Sequence, residues 1–244
     1  MTASAVLFSG GLDSAVLLGM ELRDRTEVWP VHIRTGLAWE DAEGRAIARL
    51  FAQRLFAEAA RDVPGGPKLR PSSTLHVDMR DVYPPAHWAV QGRAPAFDTP
   101  DEDVYLEGRN VILLSKAAAF CSRHGLNCIA LGPLAGNPFP DATPAFFSAM
   151  AHALSLGLAR PLSIVTPLAT MHKDDVIRLG VQLGVPLDLT LSCMNPQPVS
   201  AADAGAAEAA DLHCGRCSKC RERRDAFRDA GVEDPTAYAV TPVR

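Results

Sequence analysis

The sequence predicts an α/β fold in which a parallel sheet carries helices on both faces, and three observations lead there. Short apolar runs alternate with longer segments of helical spacing along most of the 244 residues. The first apolar run ends in a glycine pair that leads straight into a helical pattern, the opening of a βαβ unit. A chain of this size buries roughly three quarters of its unfolded surface, enough for one large α/β domain or two small ones. In order, residues 4–8 read as a buried strand and 13–22 as the helix after the Ser9-Gly10-Gly11 turn. Residues 28–33 form a second strand and 40–60 a helix. A Pro/Gly-rich connection leads to a third strand at 74–78, and a helix at 110–124 feeds a strand at 128–131, with a fifth at 162–166.

Composition excludes several classes. The 24 basic and 28 acidic residues give a formal charge of −4, no excess with which to hold a polyphosphate backbone, so broad nucleic-acid binding is disfavoured. Apolar residues make up 48% and charged ones 21%, ordinary globular usage, and no apolar run approaches the roughly 18 residues of a membrane span. The first eight residues carry no positive n-region and run into a glycine pair instead of a cleavage site, so export is not expected. Six cysteines are too few for a disulfide scaffold, and three of them fall within residues 214–220. A reducing cytoplasm is the expected compartment.

Two segments lack periodicity. Residues 81–108 are proline-rich and are expected to border the active site as a lid, unless they form an ordered surface loop without chemistry. Tyr83, Trp88 and Phe97 within them either stack on a purine or anchor a packed loop. Residues 195–212, rich in Ala, Asp and Pro, separate Cys193 from the cysteine cluster. There is no internal repeat.

Ser9-Gly10-Gly11-Leu12-Asp13-Ser14 sits between the first strand and the first helix. Glycines there let the backbone turn sharply and bring N–H groups near a ligand, while the helix N-terminus adds positive potential, so an anion should bind. No Lys-Ser/Thr follows, so this is not a Walker A loop, nor is it the three-glycine dinucleotide fingerprint. Cys214, Cys217 and Cys220 stand at two-residue intervals and Cys193 supplies a fourth thiol. Four thiolates suit a closed structural zinc site. An iron-sulfur run of the ferredoxin type needs a further cysteine at position 224, which is Arg. Arg216, Lys219, Arg221, Arg223 and Arg224 surround the cluster, with Glu222 the acidic exception, and are expected to offset the charge of the bound thiolates. His213 is either a substitute ligand for one cysteine or, since Cys193 already completes the set, a residue behind the ligands or on the surface. Cys121 and Cys128 read as buried structural thiols.

The Ser-Gly-Gly-Leu-Asp-Ser loop resembles the pyrophosphate loop of the ATP pyrophosphatases, which split ATP between the α and β phosphates. Further matches resemble one branch, the 7-cyano-7-deazaguanine synthases of the queuosine precursor pathway: Glu107-Gly108-Arg109-Asn110, Phe139-Pro140-Asp141 followed by Phe146, Ser192-Cys193, and the cysteine tail. The resemblance spans residues 4–228. It implies a Rossmann-like sheet of the adenine nucleotide alpha hydrolase type over residues 1–190, with a small zinc-binding subdomain over 191–244. It implies that Phe8 through Ser14, namely Phe8, Ser9, Gly10, Gly11, Leu12, Asp13 and Ser14, contact ATP together with Arg109 and Asn110. Asp13, Ser14 and Lys173 are then catalytic, Asp13 helping to hold Mg²⁺ and Lys173 the phosphates. Phe139, Asp141 and Phe146 would bind substrate, Asp141 accepting hydrogen bonds from a guanine-like edge unless it is a turn or capping residue.

The implied reaction adenylates 7-carboxy-7-deazaguanine, lets ammonia displace AMP, and activates the resulting amide with a second ATP to leave a nitrile. Structural zinc, free or separately donated ammonia and a homodimer complete what the family implies. Departures fall on the substrate side: Ala142-Thr143 replaces Cys-Arg, Met194 replaces Tyr, and Arg34-Thr35-Gly36 replaces Tyr-Gly-Gln. The rivals are a diverged amide-forming or tRNA-thiolating relative, a non-catalytic nucleotide-binding module stiffened by zinc, and a zinc-ribbon nucleic-acid module.

Overall fold

The computed structural model describes residues 3–61, 68–198 and 211–240. Its strands are β1 (Ala3–Leu7), β2 (Glu27–Arg34), β3 (Lys68–Leu69), β4 (Ser73–His76), β5 (Cys128–Ala130) and β6 (Ser163–Val165). Every pairing is parallel and the order is β3, β2, β1, β5, β6, with β4 on the same edge of β2 as β3. The helices are α1 (Leu12–Asp24), α2 (Glu40–Ala52), α3 (Arg54–Ala59), α4 (Trp88–Gln91), α5 (Arg109–His124), α6 (Pro144–Gly157), α7 (Lys173–Leu183) and α8 (Ser218–Ala230).

Alternation along β1 feeds two cores. Val6 and Phe8 face α1, α2, α7 and α8 through Leu17, Leu50, Ile177 and Phe227, whereas Ala5 and Leu7 face α5 and α6 through Leu114 and Phe147. Helix α8 packs along α7 and contributes Ala226 and Phe227 to the first of these cores. The chain winds from β1 outward to β4, then returns to β5 on the other side of β1. Strand order reverses there, and the carboxyl ends of β1 and β5 open a crevice at which α/β sheets bind ligands.

Two predicted elements divide. The helix expected over 40–60 breaks at Gln53, whose extended backbone (φ −77°, ψ 150°) separates α2 from α3 and lets Phe56 turn into the core with no exposure. The third strand is two short pieces of one edge, β3 beside Glu27–Val28 and β4 beside residues 31–34. The expectation that 195–212 is weakly structured falls mostly on residues 199–210, which lie outside the described residues.

Gly10 joins the loop to α2. Its φ of +74° belongs to the left-handed region, and a Cβ there would meet Ile47 Cγ1 at 3.1 Å and the Glu43 carbonyl at 3.3 Å. Gly10→Ala is therefore expected to destabilise the fold by about 1–3 kcal/mol, from the strained φ and the displaced helix together. Denaturant unfolding measures it, and an unchanged midpoint would contradict the packing described.

Candidate active site

The phosphate loop is held by its own hydroxyls. Ser9 Oγ accepts from the Gly11 N–H (3.3 Å), while Ser14 Oγ accepts from the Ser9 N–H (3.3 Å) and donates to the Gly11 carbonyl (3.0 Å). The N-cap of α1 is Gly11, which has no side chain to cap the first turn, so that turn's N–H groups and dipole stay available to an anion. The loop borders a cavity of about 310 Å³. Its walls are the strand ends Leu7, Val31, Ile33 and Leu131, the start of α5 at Arg109 and Asn110, and Phe139. Apolar walls beside an anion-binding turn suit a nucleoside phosphate.

A second cavity of about 200 Å³ lies between the loop, residues 191–194 and α8. Trp39, Lys173, Ser192, Met194, Lys219 and Glu222 line it, and it shares Ser9, Gly11, Asp13, Glu43 and Arg109 with the first. Ions stitch its floor: Lys173 Nζ lies 2.6 Å from Asp13 Oδ2 and 3.2 Å from Glu222 Oε1, and Lys219 Nζ lies 2.5 Å from Glu222 Oε2. Burial alone would raise the Glu222 carboxyl, but Lys173 and Lys219 outweigh it and hold it at about 2. Burial likewise works against the Lys173 ammonium, and Asp13 with Glu222 overturns that effect and raises it. One acceptor and one donor are left over for a ligand. Asp13 Oδ1 and Arg109 Nε are buried without a hydrogen-bond partner among the described residues. A carboxylate with one oxygen paired to Lys173 and the other free fits a divalent cation carried in by phosphates.

The predicted residues distribute unevenly. Phe8, Ser9, Gly11, Asp13, Ser14, Arg109, Asn110 and Phe139 line the first cavity, and Leu12 and Lys173 line the second. Gly10 acts through its backbone, its carbonyl accepting from the Leu191 N–H at 2.9 Å. Asp141 and Phe146 line neither cavity. Asp141 is 6% exposed and caps α5 from outside: its carboxylate accepts from the Asn110 N–H at 3.0 Å and from Asn110 Nδ2 at 3.3 Å. Phe146 packs edge-on against Phe147 in the second core.

The replaced positions have local work as well. Thr143 caps α6 by accepting from the Phe146 N–H, and Thr35 and Gly36 donate their N–H groups to Glu40 at 2.6 and 3.0 Å, closing the turn after β2.

Cys193, Cys214, Cys217 and Cys220 are all buried, with their sulfurs within 4.8 Å of one another. The N–H groups of Asn195 and Cys214 donate to Cys193 Sγ (3.3 and 3.2 Å), and that of Arg216 to Cys214 Sγ (3.4 Å). Hydrogen bonds from Cys193, Cys217 and Cys220 bring the Cys214 thiol below its ordinary range, while Cys193 is raised by its bonds to the other three. Gly215 turns at φ +73° where a Cβ would lie 1.8 Å from the Val240 carbonyl oxygen, so only glycine fits there between Cys214 and Cys217. This cluster could bind a metal ion. His213 is 3% exposed and held neutral, its pKa pushed down to about 3 by burial and by Arg223. Its Nε2 accepts from the Ser192 N–H (3.1 Å) and so supports residues 192–193 from behind.

The flanking cations also hold neighbouring loops in place. Arg223, with no exposure, donates to the Leu187 carbonyl (2.6 Å), Thr190 (2.8 Å), Ser192 (3.1 Å) and Thr236 (2.6 Å). Arg221 donates to the Thr99 carbonyl, and Arg224 covers the Phe97 ring at 4.8 Å. These contacts tie α8 to the loops packed around it.

Residues 81–108 belong to that group, and the lid expectation is corrected. None of them lines either cavity. Trp88 stacks on Trp39 at 5.8 Å, the buried Tyr83 hydroxyl donates to the Glu107 carbonyl, and Ala96 bridges to Cys217. The segment is an ordered strap over the cysteine cluster, and its aromatics are packing anchors.

Sequence reasoning missed His32, Trp39, Glu43 and the site role of Glu222. A histidine inside an otherwise apolar strand, two residues from the end of the run that became β2, was the available signal for the first.

The family model for queuosine biosynthesis protein QueC matches residues 3–231. A 7-cyano-7-deazaguanine synthase of Methanothrix thermoacetophila is 32% identical over 98% of this chain and 99% of its own length. One from Anaeromyxobacter dehalogenans is 33% identical over 97% and 95%. A solved 4-thiouridine synthetase in complex with RNA and ATP is 15% identical, with a TM-score of 0.48 over 77% of this chain and 42% of its own. A match that runs from the first strand through the last helix covers both cavities and the cysteine cluster together, and the chain belongs to the QueC family of queuosine biosynthesis proteins.

Proposed function

We propose that this chain is a 7-cyano-7-deazaguanine synthase, an ATP-dependent ligase that converts 7-carboxy-7-deazaguanine and ammonia to the nitrile. One observation carries the reading beyond family membership: the anion-binding loop opens on two joined cavities, one apolar enough for a nucleoside and one closed by the cysteine segment. A substrate carboxylate oxygen attacks the α-phosphate, pyrophosphate leaves, and ammonia displaces AMP to give the amide. A second ATP takes up the amide oxygen, and its loss as AMP leaves the nitrile, so both original carboxylate oxygens depart on AMP. The chain contributes position and charge. The loop N–H groups, Lys173 and Arg109 take the phosphates. Asp13, through its free Oδ1, would share the Mg²⁺ that neutralises the leaving pyrophosphate. Asn110 and Asp141 set the start of α5, and Phe139 flanks the base.

All six cysteines are buried, and Cys121, pushed up to about 12 mainly by burial, is no nucleophile, which speaks against sulfur transfer. For the cysteine centre we propose zinc. Sulfurs of a tetrahedral zinc site lie about 3.8 Å apart from bond lengths of ~2.3 Å, and Cys193–Cys217 and Cys214–Cys220 are each 3.9 Å and Cys217–Cys220 3.5 Å. A four-iron cube would place an iron inside each thiolate and hold the sulfurs much farther apart. Residues 191–244 make up this metal-binding part and 1–190 the nucleotide-binding part. Among the described residues no helix is long and apolar enough to cross a membrane. A cytoplasmic homodimer using free ammonia completes the proposal.

The direct test mixes purified protein, Mg-ATP, ammonium and 7-carboxy-7-deazaguanine and follows products by mass. Nitrile with two AMP per turnover is expected. ATP binding with no acid-dependent pyrophosphate release would leave a nucleotide-binding module instead.

A further inference from the structure

A ligation to ammonia must shed protons, and no group considered so far receives them. The attacking nitrogen becomes cationic as the C–N bond forms and must lose a proton before AMP departs, and the remaining N–H protons leave on the way to the nitrile. A base is required at the junction of the two cavities. Of the carboxylates there, Asp13 is tied to Lys173 and Glu222 to both Lys173 and Lys219. Glu43 differs. It is 8% exposed, lines both cavities, and among the described residues its carboxylate meets no Lys or Arg; it pairs with His32, Nε2 to Oε2 at 3.1 Å. An ionised carboxylate only accepts, so in that form Glu43 takes the hydrogen bond from the His32 Nε2–H and leaves Oε1 for another donor. Position is enforced from behind: Gly10 lacks a Cβ, so the first turns of α2 seat directly against the phosphate loop.

We propose that Glu43 is the catalytic base that binds the incoming ammonia and accepts its proton, with His32 as the positioning residue. The proposal rests on the synthase reading above. On attack, the nitrogen lone pair forms the C–N bond, one N–H proton passes to Glu43 Oε1, and the C–O bond to AMP breaks with its electron pair. The base then returns its proton to solvent before the second activation. Two readouts separate it from a binding role. With acid and Mg-ATP but no ammonia, Glu43→Gln should exchange labelled pyrophosphate into ATP within about threefold of the parent, because adenylation needs no base. Its ammonia-dependent amide formation should fall about 100-fold, a typical general-base contribution. Hydroxylamine, a stronger nucleophile whose cationic adduct gives up its proton to water more readily than that of ammonia, should recover most of that loss as hydroxamate. His32→Gln, whose amide still donates to Oε2, should keep most of the amide-forming rate, and His32→Leu should lose it. Loss of exchange in Glu43→Gln, or an unchanged ammonia rate, overturns the assignment. Absence of exchange in the parent with this acid overturns the synthase reading instead.

Discussion

Lys173→Ala is expected to slow acid-dependent pyrophosphate release by about 10²–10³-fold, the usual cost of removing one preorganised charge from a phosphoryl-transfer site. The ammonium at the start of α7 stands between Asp13 and Glu222, two carboxylates from separate parts of the chain. Without it they face each other across the cavity proposed to admit a polyanion, and a leaving pyrophosphate would lose one of the cations there. Lys173→Arg should recover only part of the rate, because a planar fork does not occupy the place of a compact ammonium held at 2.6 and 3.2 Å by two separate oxygens. Steady-state kinetics in ATP and in the acid decide it. A loss confined to KM for the acid would move Lys173 from the phosphates to the second substrate.

Cys217→Ser, the second large effect, should cost bound zinc and the second cavity while sparing the first. Loss of about 4 kcal/mol, a fraction of what a structural zinc contributes, lowers the melting midpoint of a chain this size by roughly 10 °C. Cys193 leads directly into Met194, and Cys220 precedes Glu222 on α8, so releasing the metal frees Ser192, Met194, Lys219 and Glu222 from their places. Nucleotide should still bind at residues 9–14, measured by calorimetry, while acid-dependent turnover disappears. Metal analysis of the parent is expected to return one zinc per chain, and a variant that keeps both its zinc and its melting midpoint would refute the four-thiolate site.

Much of this was legible in the chain. The apolar run, glycine pair and helical pattern of residues 4–22 have one stable three-dimensional reading, because a buried strand entering a helix must turn within a few residues and only glycine turns that tightly. The cysteine spacing was equally informative, since thiols at two-residue intervals with a fourth in reserve have few other uses. What misled were residues whose environment is made by distant chain. Asp141 looks like a ligand reader and is spent on Asn110 of α5. The proline-rich 81–108 segment looks like a lid and is a strap, because Trp88 finds Trp39 and Arg221 finds Thr99.

Local rules, then, determined the strands, the glycine turn and the three closely spaced cysteines of residues 214–220, all of which depend on neighbours within a few positions. Only the tertiary structure decided which charges meet. Lys173 lies 160 residues from Asp13 along the chain yet rests on it, and Glu43 reaches the same cavity from another helix. Such meetings depend on how α2, α7 and α8 stack on one face of the sheet, a consequence of the whole packed core that no stretch of sequence contains.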